Sequence, residues 1–290
     1  MKVEREPADD AAIRRFLQTV FVNYGYDLRA YAPASIRRRV LAVLATSGLD
    51  SVDDLERRIV SDPSFAGTVI DHLTVNVSEM FRDPAFFRTV RERLVPLLRT
   101  YPRLNIWNSG CATGEEAYST AILLTEEGLY DRCQIYATDV NARVVEQAKQ
   151  GIYPAATVAR FAENYRRAGG RSFCSSYFTE AYDRIAMRDA LRRNIVFFQH
   201  DLVGDHVFGE MNIIFCRYVF IYFGRDLQER IATKLAQSLR PGGFLGLGSS
   251  ERLPPRLLDQ FTAVAPDERI YQFQPRPAQG RASTEDRHER

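Results

Sequence analysis

Leu104-Asn-Ile-Trp-Asn-Ser-Gly-Cys-Ala-Thr-Gly-Glu-Glu-Ala-Tyr118 is the stretch that decides the fold. It reads as a short apolar strand, a glycine-framed turn and the start of a helix. That succession opens the cofactor crevice of a doubly wound α/β sheet. The turn is not the G-x-G-x-x-G of dinucleotide-binding folds. Gly110 and Gly114 frame a loop that runs straight into Glu115 and Glu116. A helix N-terminus ordinarily attracts phosphate, but two carboxylates there repel a pyrophosphate. NAD, FAD and ATP therefore fit poorly. A cofactor with positive charge and no phosphate fits better, and S-adenosylmethionine (AdoMet) carries both a sulfonium and an ammonium.

Downstream, Gln134 to Asp139 reads as a second strand ending in an acid. At the crevice such a carboxylate accepts the ribose hydroxyls, and the spacing from Gly114 is near the ~20 residues expected. The alternative role for Asp139 is to cap the next helix. Asn194 to Leu202 and Met211 to Arg217 read as further strands. Leu227, Ile231, Leu235 and Leu239 mark a helix closed by Pro241-Gly242-Gly243. Phe244 to Gly248 is a fifth strand, and Val264 to Phe273 gives one or two antiparallel edge strands. Residues 153–190 interrupt the alternation and predict an inserted subdomain of short strands. The polar tail, 276–290, is expected to be disordered.

Upstream, the pattern is helical. Ile13, Phe16, Leu17, Val20 and Phe21 share one helix face. A second helix starts near Pro33, turns Ile36, Val40, Val43 and Leu44 inward, and stops at Gly48. Ser51 caps a third helix, and Asp62-Pro63 starts a fourth that runs toward Leu73. Residues 1–73 thus form a helical N-terminal domain, 74–84 a linker, and 85–275 the α/β domain. Asp83-Pro84 caps a linker helix with Phe86, Phe87, Val90 and Leu94 inward. Arg37-Arg38-Arg39, on the second helix, reads either as a solvated face or as a basic patch for an acidic partner.

The composition sets outer limits. The chain has 290 residues, 45% hydrophobic and 26% charged, which is enough for a buried core and too apolar for wholesale disorder. A formal charge of +2 gives no global pull toward nucleic acid. No apolar run approaches the ~20 residues of a membrane span, and MKVEREPADD has no secretory h-region. Cys111, Cys133, Cys174 and Cys216 form no C-x-x-C pair, so neither a zinc site nor a disulfide framework is expected. No metal is expected. Reduced thiols suit a cytoplasmic protein, and a monomer is the default.

The ordered motifs resemble the chemotaxis receptor glutamate O-methyltransferases, the CheR family. They are Asn76-Val-Ser78 with Phe81-Arg82, Ser109 to Ser119, Tyr136-Ala-Thr-Asp139, Gly151-Ile-Tyr153, Asp201-Leu202, Ile214-Phe-Cys-Arg217 with Ile221-Tyr-Phe223, and Pro241-Gly-Gly243. The resemblance implies a Rossmann-like AdoMet methyltransferase sheet with an inserted small β-subdomain, preceded by an all-helical domain. It places Asn76, Ser78 and Arg82 over AdoMet, with Arg82 at the reacting centre. It brings the Gly110 backbone to the methionine part, Glu116 to its ammonium and Asp139 to the ribose. Asp201 and Leu202 would border the adenine, and Arg217 and Tyr218 would line the pocket. Tyr222 would touch the acceptor carboxylate. The implied partner is the cytoplasmic helical bundle of a chemoreceptor, with a receptor C-terminal peptide docked at the β-subdomain in some members. The implied product is S-adenosyl-L-homocysteine (AdoHcy). One departure stands out: the family's usual Asn after Cys-Arg is Tyr218. The alternatives are a weak or inactive AdoMet-binding sensor or scaffold, and a methyltransferase for another substrate.

The residues fit this chemistry. An ionised glutamate needs no general base, because its unperturbed pKa is about 4.3. A sulfonium methyl is already activated, so holding the carboxylate in line suffices. Arg82 and Tyr222 are the natural cation and phenol for that task. Each also has a plainer reading: Arg82 as a surface residue at a helix start, Tyr222 as core packing, and Glu116 as an ordinary first-turn carboxylate. Glu115 reads as structural.

Overall fold

The computed structural model describes residues 9–207 and 209–275; the expected disordered tail, 276–290, lies outside them. Four helices come first: α1 (Asp10–Tyr24), α2 (Pro33–Ser47), α3 (Val52–Ser61) and α4 (Pro63–Leu73). Their caps follow from local sequence. Ser51 Oγ accepts from Asp54 N–H, and the Asp62 carboxylate accepts from Phe65 N–H. Gly25 and Gly48 end α1 and α2 in the left-handed region that glycine tolerates. Ile13, Phe16, Leu17, Val20, Val40 and Leu55 meet in one buried cluster.

The linker, 74–83, has no regular structure. After it come α5 (Pro84–Thr89), a π-helical turn (Val90–Leu94) and α6 (Val95–Leu98). This departs from the single helix expected, and Pro96 explains it. Proline has no N–H to give the carbonyl four residues back and crowds it. The helix widens instead, and Val95 N–H bonds Val90 O. Asp83 also departs from expectation. Its side chain does not cap α5; it turns toward Arg217 and Tyr218.

The α/β domain contains β1 (Leu104–Ser109), α7 (Glu115–Glu126), β2 (Cys133–Asp139) and α8 (Ala142–Gln150). Next come β3 (Ile152–Pro154), α9 (Val158–Arg167), β4 (Phe178–Ala181), β5 (Arg184–Met187) and α10 (Asp189–Arg192). It closes with β6 (Ile195–Gln199), β7 (Met211–Cys216), α11 (Arg225–Ser238), β8 (Leu239–Leu247), β9 (Phe261–Ala265) and β10 (Ile270–Phe273). The large sheet runs β6-β2-β1-β7-β8-β10-β9. Strands β6, β2, β1, β7 and β8 pair in parallel, while β10 pairs antiparallel with both β8 and β9. The order reverses between β1 and β7, so a crevice opens at their C-terminal ends.

The insertion is a separate three-stranded sheet, β3-β5-β4. It carries a ten-residue helix, α9, which the short-strand expectation missed. Helix α11 ends at Ser238 rather than at Pro-Gly-Gly. Pro241-Gly242-Gly243 lies within β8, where the register against β7 shifts and Gly242 takes φ 79°. A glycine pair lets the strand kink there without a Cβ clash.

The linker helices are pinned to the core by a buried charge. Arg91, in the π turn, pairs with Glu126 at 2.6 Å and Glu127 at 2.7 Å, and Arg99 and Arg171 also reach Glu127. Removing Arg91 takes away the buried cation and leaves the two buried carboxylates with only the half-exposed Arg99 and Arg171 as ion partners. Arg91→Ala should therefore lower unfolding free energy by about 3 kcal/mol, measured by urea titration.

Candidate active site

Backbone geometry builds the crevice first. Gly110, Ala112 and Gly114 take φ 73°, 46° and 95°, so the turn after β1 curls back toward β2. Gly110 and Cys111 N–H both donate to Thr138 O, at 2.7 and 2.8 Å. A Cβ at Gly110 would lie 2.4 Å from Val219 Cγ2, so glycine is needed there for close approach as well as for φ. The Asp139 carboxylate accepts from Ala112 N–H at 2.9 Å and from Asn141 N–H at 3.0 Å. Asn141, not Asp139, caps α8 through Arg143 N–H. Asp139 therefore belongs to the turn and the cleft. Burial pushes its carboxyl above the usual range, opposed by those backbone donors.

The cleft encloses about 920 Å³, its open mouth included. Every residue given a catalytic or cofactor role from the sequence lines it: Asn76, Ser78, Arg82, Gly110, Glu116, Asp139, Asp201, Leu202, Arg217, Tyr218 and Tyr222. They arrive from the linker, the turn, the ends of β2, β6 and β7, and the loop after β7. Glu115 does not line it; both its oxygens accept from Thr113 Oγ1.

The charged groups are organised about Arg217. Its guanidinium donates to Glu116 Oε2 and to Asp83 Oδ2, each at 2.7 Å, and to Arg82 O at 2.9 Å. Its Cζ lies 4.1 Å from the Phe86 ring centroid. Glu116 Oε1 accepts from Asn108 Nδ2 at 3.1 Å. On the other wall, Asp201 accepts from Val203 N–H, and burial raises its carboxyl.

Sequence reasoning missed four contributors. Arg39 is buried, with its Cζ 4.4 Å from the Tyr222 ring centroid; one nitrogen reaches Leu73 O, while Nε and Nη2 have no partner. The arginine run is thus split. Arg37 pairs with Asp10, Arg38 is exposed, and Arg39 faces the cleft. The signal was present, since Arg39 lies i+3 from Ile36 on the inward stripe. Tyr31 adds a second contact from the helical domain: it bridges Phe223 in antiparallel fashion while Ala32 N–H donates to Tyr222 O at 2.8 Å. Glu251, just past β8, accepts the N–H groups of Gly248, Tyr218 and Ile221 and so holds the loop that carries Tyr222. Asp83 is the fourth, concealed by its resemblance to a cap.

Residues 76–270 match the family described as CheR methyltransferase, SAM binding domain, and residues 11–74 match its all-alpha domain. The chain belongs to the CheR methyltransferase family. It is 44% identical over 263 residues to a Pseudomonas putida protein named "Putative methyltransferase Cher3", covering 90% of this chain and 96% of that one. It is 32% identical to a chemotaxis protein methyltransferase of Vibrio anguillarum, covering 79% and 84%. A Vibrio cholerae chemotaxis protein methyltransferase is 31% identical over the same shares.

The cofactor of a CheR-type enzyme is AdoMet, and the residues present suit it. The crevice is lined by Glu116, Asp139 and Asp201 as well as by Arg39, Arg82 and Arg217, and its carboxylates suit a nucleoside that brings hydroxyls and an ammonium. Gly110 leaves room for backbone contact. Among the described residues no cluster suits a metal, and no helix is long and apolar enough to cross a membrane.

Asp139→Ala should weaken AdoHcy binding by roughly tenfold or more, the range for a lost hydrogen bond to a charged group. Isothermal titration measures it. An unchanged dissociation constant would remove Asp139 from the cofactor's contacts.

Proposed function

We propose that this CheR-type methyltransferase esterifies glutamate side chains on the cytoplasmic helical bundle of a chemoreceptor, leaving AdoHcy. The observation that carries the reading is one cleft in which a cation, Arg82, and a phenol, Tyr222, share walls with an acidic cofactor end. Bound AdoMet supplies an activated methyl carbon. The rest of the work is orientation.

In this reading Asn76 and Ser78 cover the cofactor, the Gly110 backbone approaches its methionine part, and Asp139 holds the ribose. Asp201 and Leu202 border the adenine, and Arg217 and Tyr218 complete the wall. Glu116 meets the ammonium. It already accepts from Arg217 and Asn108, and a carboxylate has room for a further donor.

Arg82 and Tyr222 orient the acceptor. Arg82 forms no ion pair among the described residues, so its charge remains for an incoming carboxylate. Burial pushes the Tyr222 phenol up against the opposing pull of Arg39 and Arg82, so it stays protonated and donates. The glutamate enters already ionised and needs no base. Modest contacts are preferable to tight ones, because a strongly bound anion is stabilised in its ground state.

A receptor helix with glutamates awaiting methylation would present an acidic face. Arg38 offers it an exposed cation close enough to act on Tyr222, while Arg39, buried, faces the cleft itself. The small β3-β5-β4 sheet would receive a receptor's C-terminal peptide. Such a substrate would imply a cytoplasmic enzyme.

Arg82→Ala should lower turnover more than tenfold, about what one charge-assisted contact contributes. The assay is transfer of a tritiated methyl group to receptor-containing membranes, read as base-labile label. Wild-type activity in the variant would remove Arg82 from the reaction, and base-stable label would remove glutamate as the acceptor. Arg38→Glu should cut receptor methylation severalfold by reversing a rim charge, with AdoHcy affinity unchanged. Undiminished methylation would return Arg38 to the role of a solvated surface charge.

A further inference from the structure

Tyr218 follows Arg217 directly after β7, and several groups of the site hold it in place. Its backbone is left-handed, at φ 60°, a conformation that bulky side chains avoid unless their surroundings impose it. Four groups impose it. Glu251 accepts its N–H at 2.8 Å. Asp83 accepts its hydroxyl, and Ser249 Oγ lies 3.0 Å from the same oxygen. Gly248 leaves space for the ring, since a Cβ there would come within 2.9 Å of Tyr218 N and 3.1 Å of Cδ1. What this framework presents is a ring face. The Arg82 guanidinium lies against it, with Cζ 3.5 Å from the centroid.

The geometry points to Tyr218 as the positioning residue for Arg82. The inference rests on the proposed role of Arg82 at the acceptor carboxylate. A carboxylate could also fix Arg82, but it would consume the charge and the donors the acceptor needs. A ring holds the guanidinium through its face; of its N–H edge only Nη1 is engaged, donating to Val77 O at 3.3 Å, and the remaining donors stay available to an acceptor. Asparagine offers an amide and no π face. Arg82 and Tyr218 also line both the cofactor cleft and a second, outer cleft of about 1070 Å³ bordered by Arg160 and Arg167. The stacked pair is therefore a wall between the two. The guanidinium sits at the junction where an acceptor from outside would meet the methyl group within.

The test uses the full chain as wild type, Tyr218→Phe, Tyr218→Asn and Arg82→Lys, with arginine labelled by nitrogen-15. A guanidinium stacked on a ring has its Nε–H resonance displaced by the ring current. Arg29, Arg39, Arg58 and Arg217 also lie over rings, so the wild type should show several displaced signals, and the one that disappears in Arg82→Lys is that of Arg82. It should persist in Tyr218→Phe and return to an ordinary position in Tyr218→Asn. An undisplaced Arg82 signal in the wild type, or one indifferent to Tyr218→Asn, overturns the inference. At saturating AdoMet, Tyr218→Asn should lose about tenfold in turnover, the scale of a desolvated cation–π contact, while AdoHcy affinity moves by less than about threefold. Tyr218→Phe should restore most of the turnover. A variant that loses AdoHcy binding with turnover intact overturns the inference, since Tyr218 would then be a cofactor contact only. The spectra need no methyl acceptor. A wild type with the displaced signal but no base-labile transfer would sink the glutamate reading and leave the Arg82–Tyr218 contact standing.

Discussion

The buried Arg217 guanidinium is the constraint on which the site depends. It lies at the end of β7, yet it reaches Glu116 on α7 and both Asp83 and the Arg82 carbonyl on the linker. Three separate segments are tied by one cation. Its burial costs several kcal/mol in desolvation unless partners surround it, and here two carboxylates and two phenylalanine rings do so. The linker, which has no secondary structure to define it, acquires a fixed course through Arg217.

That course explains why the helical domain belongs to the site. Asn141 on the turn before α8 donates to Asp71 and to Thr74, fastening the end of α4 beside Asp139. At the opposite wall the bridge between Tyr31 and Phe223 and the stacking of Arg39 on Tyr222 do the same for the loop after β7. The cleft is thus roofed by one domain and floored by another. The Tyr222 ring is held on one face by Arg39 and its backbone carbonyl by Ala32 N–H, and the proposed orientation-driven transfer would draw on that preorganisation.

How much of this could be read from the chain depends on which interactions were local. The α/β order, the four helices and the acid at the end of β2 were legible, because periodicity, caps and glycine turns act within a few residues. The fate of Asp83 was not. Its local context says helix cap, and only Arg217, far along the chain, overrides it. Arg39 was misjudged for the opposite reason: its neighbours are charged and solvated, while helical phase carries it inward. Glu251 was invisible as a function, since its three backbone partners come together only when β8 lies beside β7. The π turn at Arg91 was hidden behind an apolar stripe that continues through it, although Pro96 marked the place.

Strain follows the same map. Of the seven non-glycine residues at positive φ among those described, Phe81, Asp83, Ala112 and Tyr218 belong to the linker, the turn or the loop around the cleft. Each is held by a contact from another element: Phe81 N–H by Ser119, Asp83 by Arg217, Ala112 by Asp139, and Tyr218 by Glu251. Left-handed backbone at such residues is unfavourable and persists where tertiary contacts outweigh it. Each strained residue also redirects a neighbour. Phe81 and Asp83 flank Arg82, Ala112 lies between the two turn glycines, and Tyr218 follows Arg217. The chain stores its unfavourable conformations next to the groups that must be aimed, and the buried charges supply the hold that keeps them there.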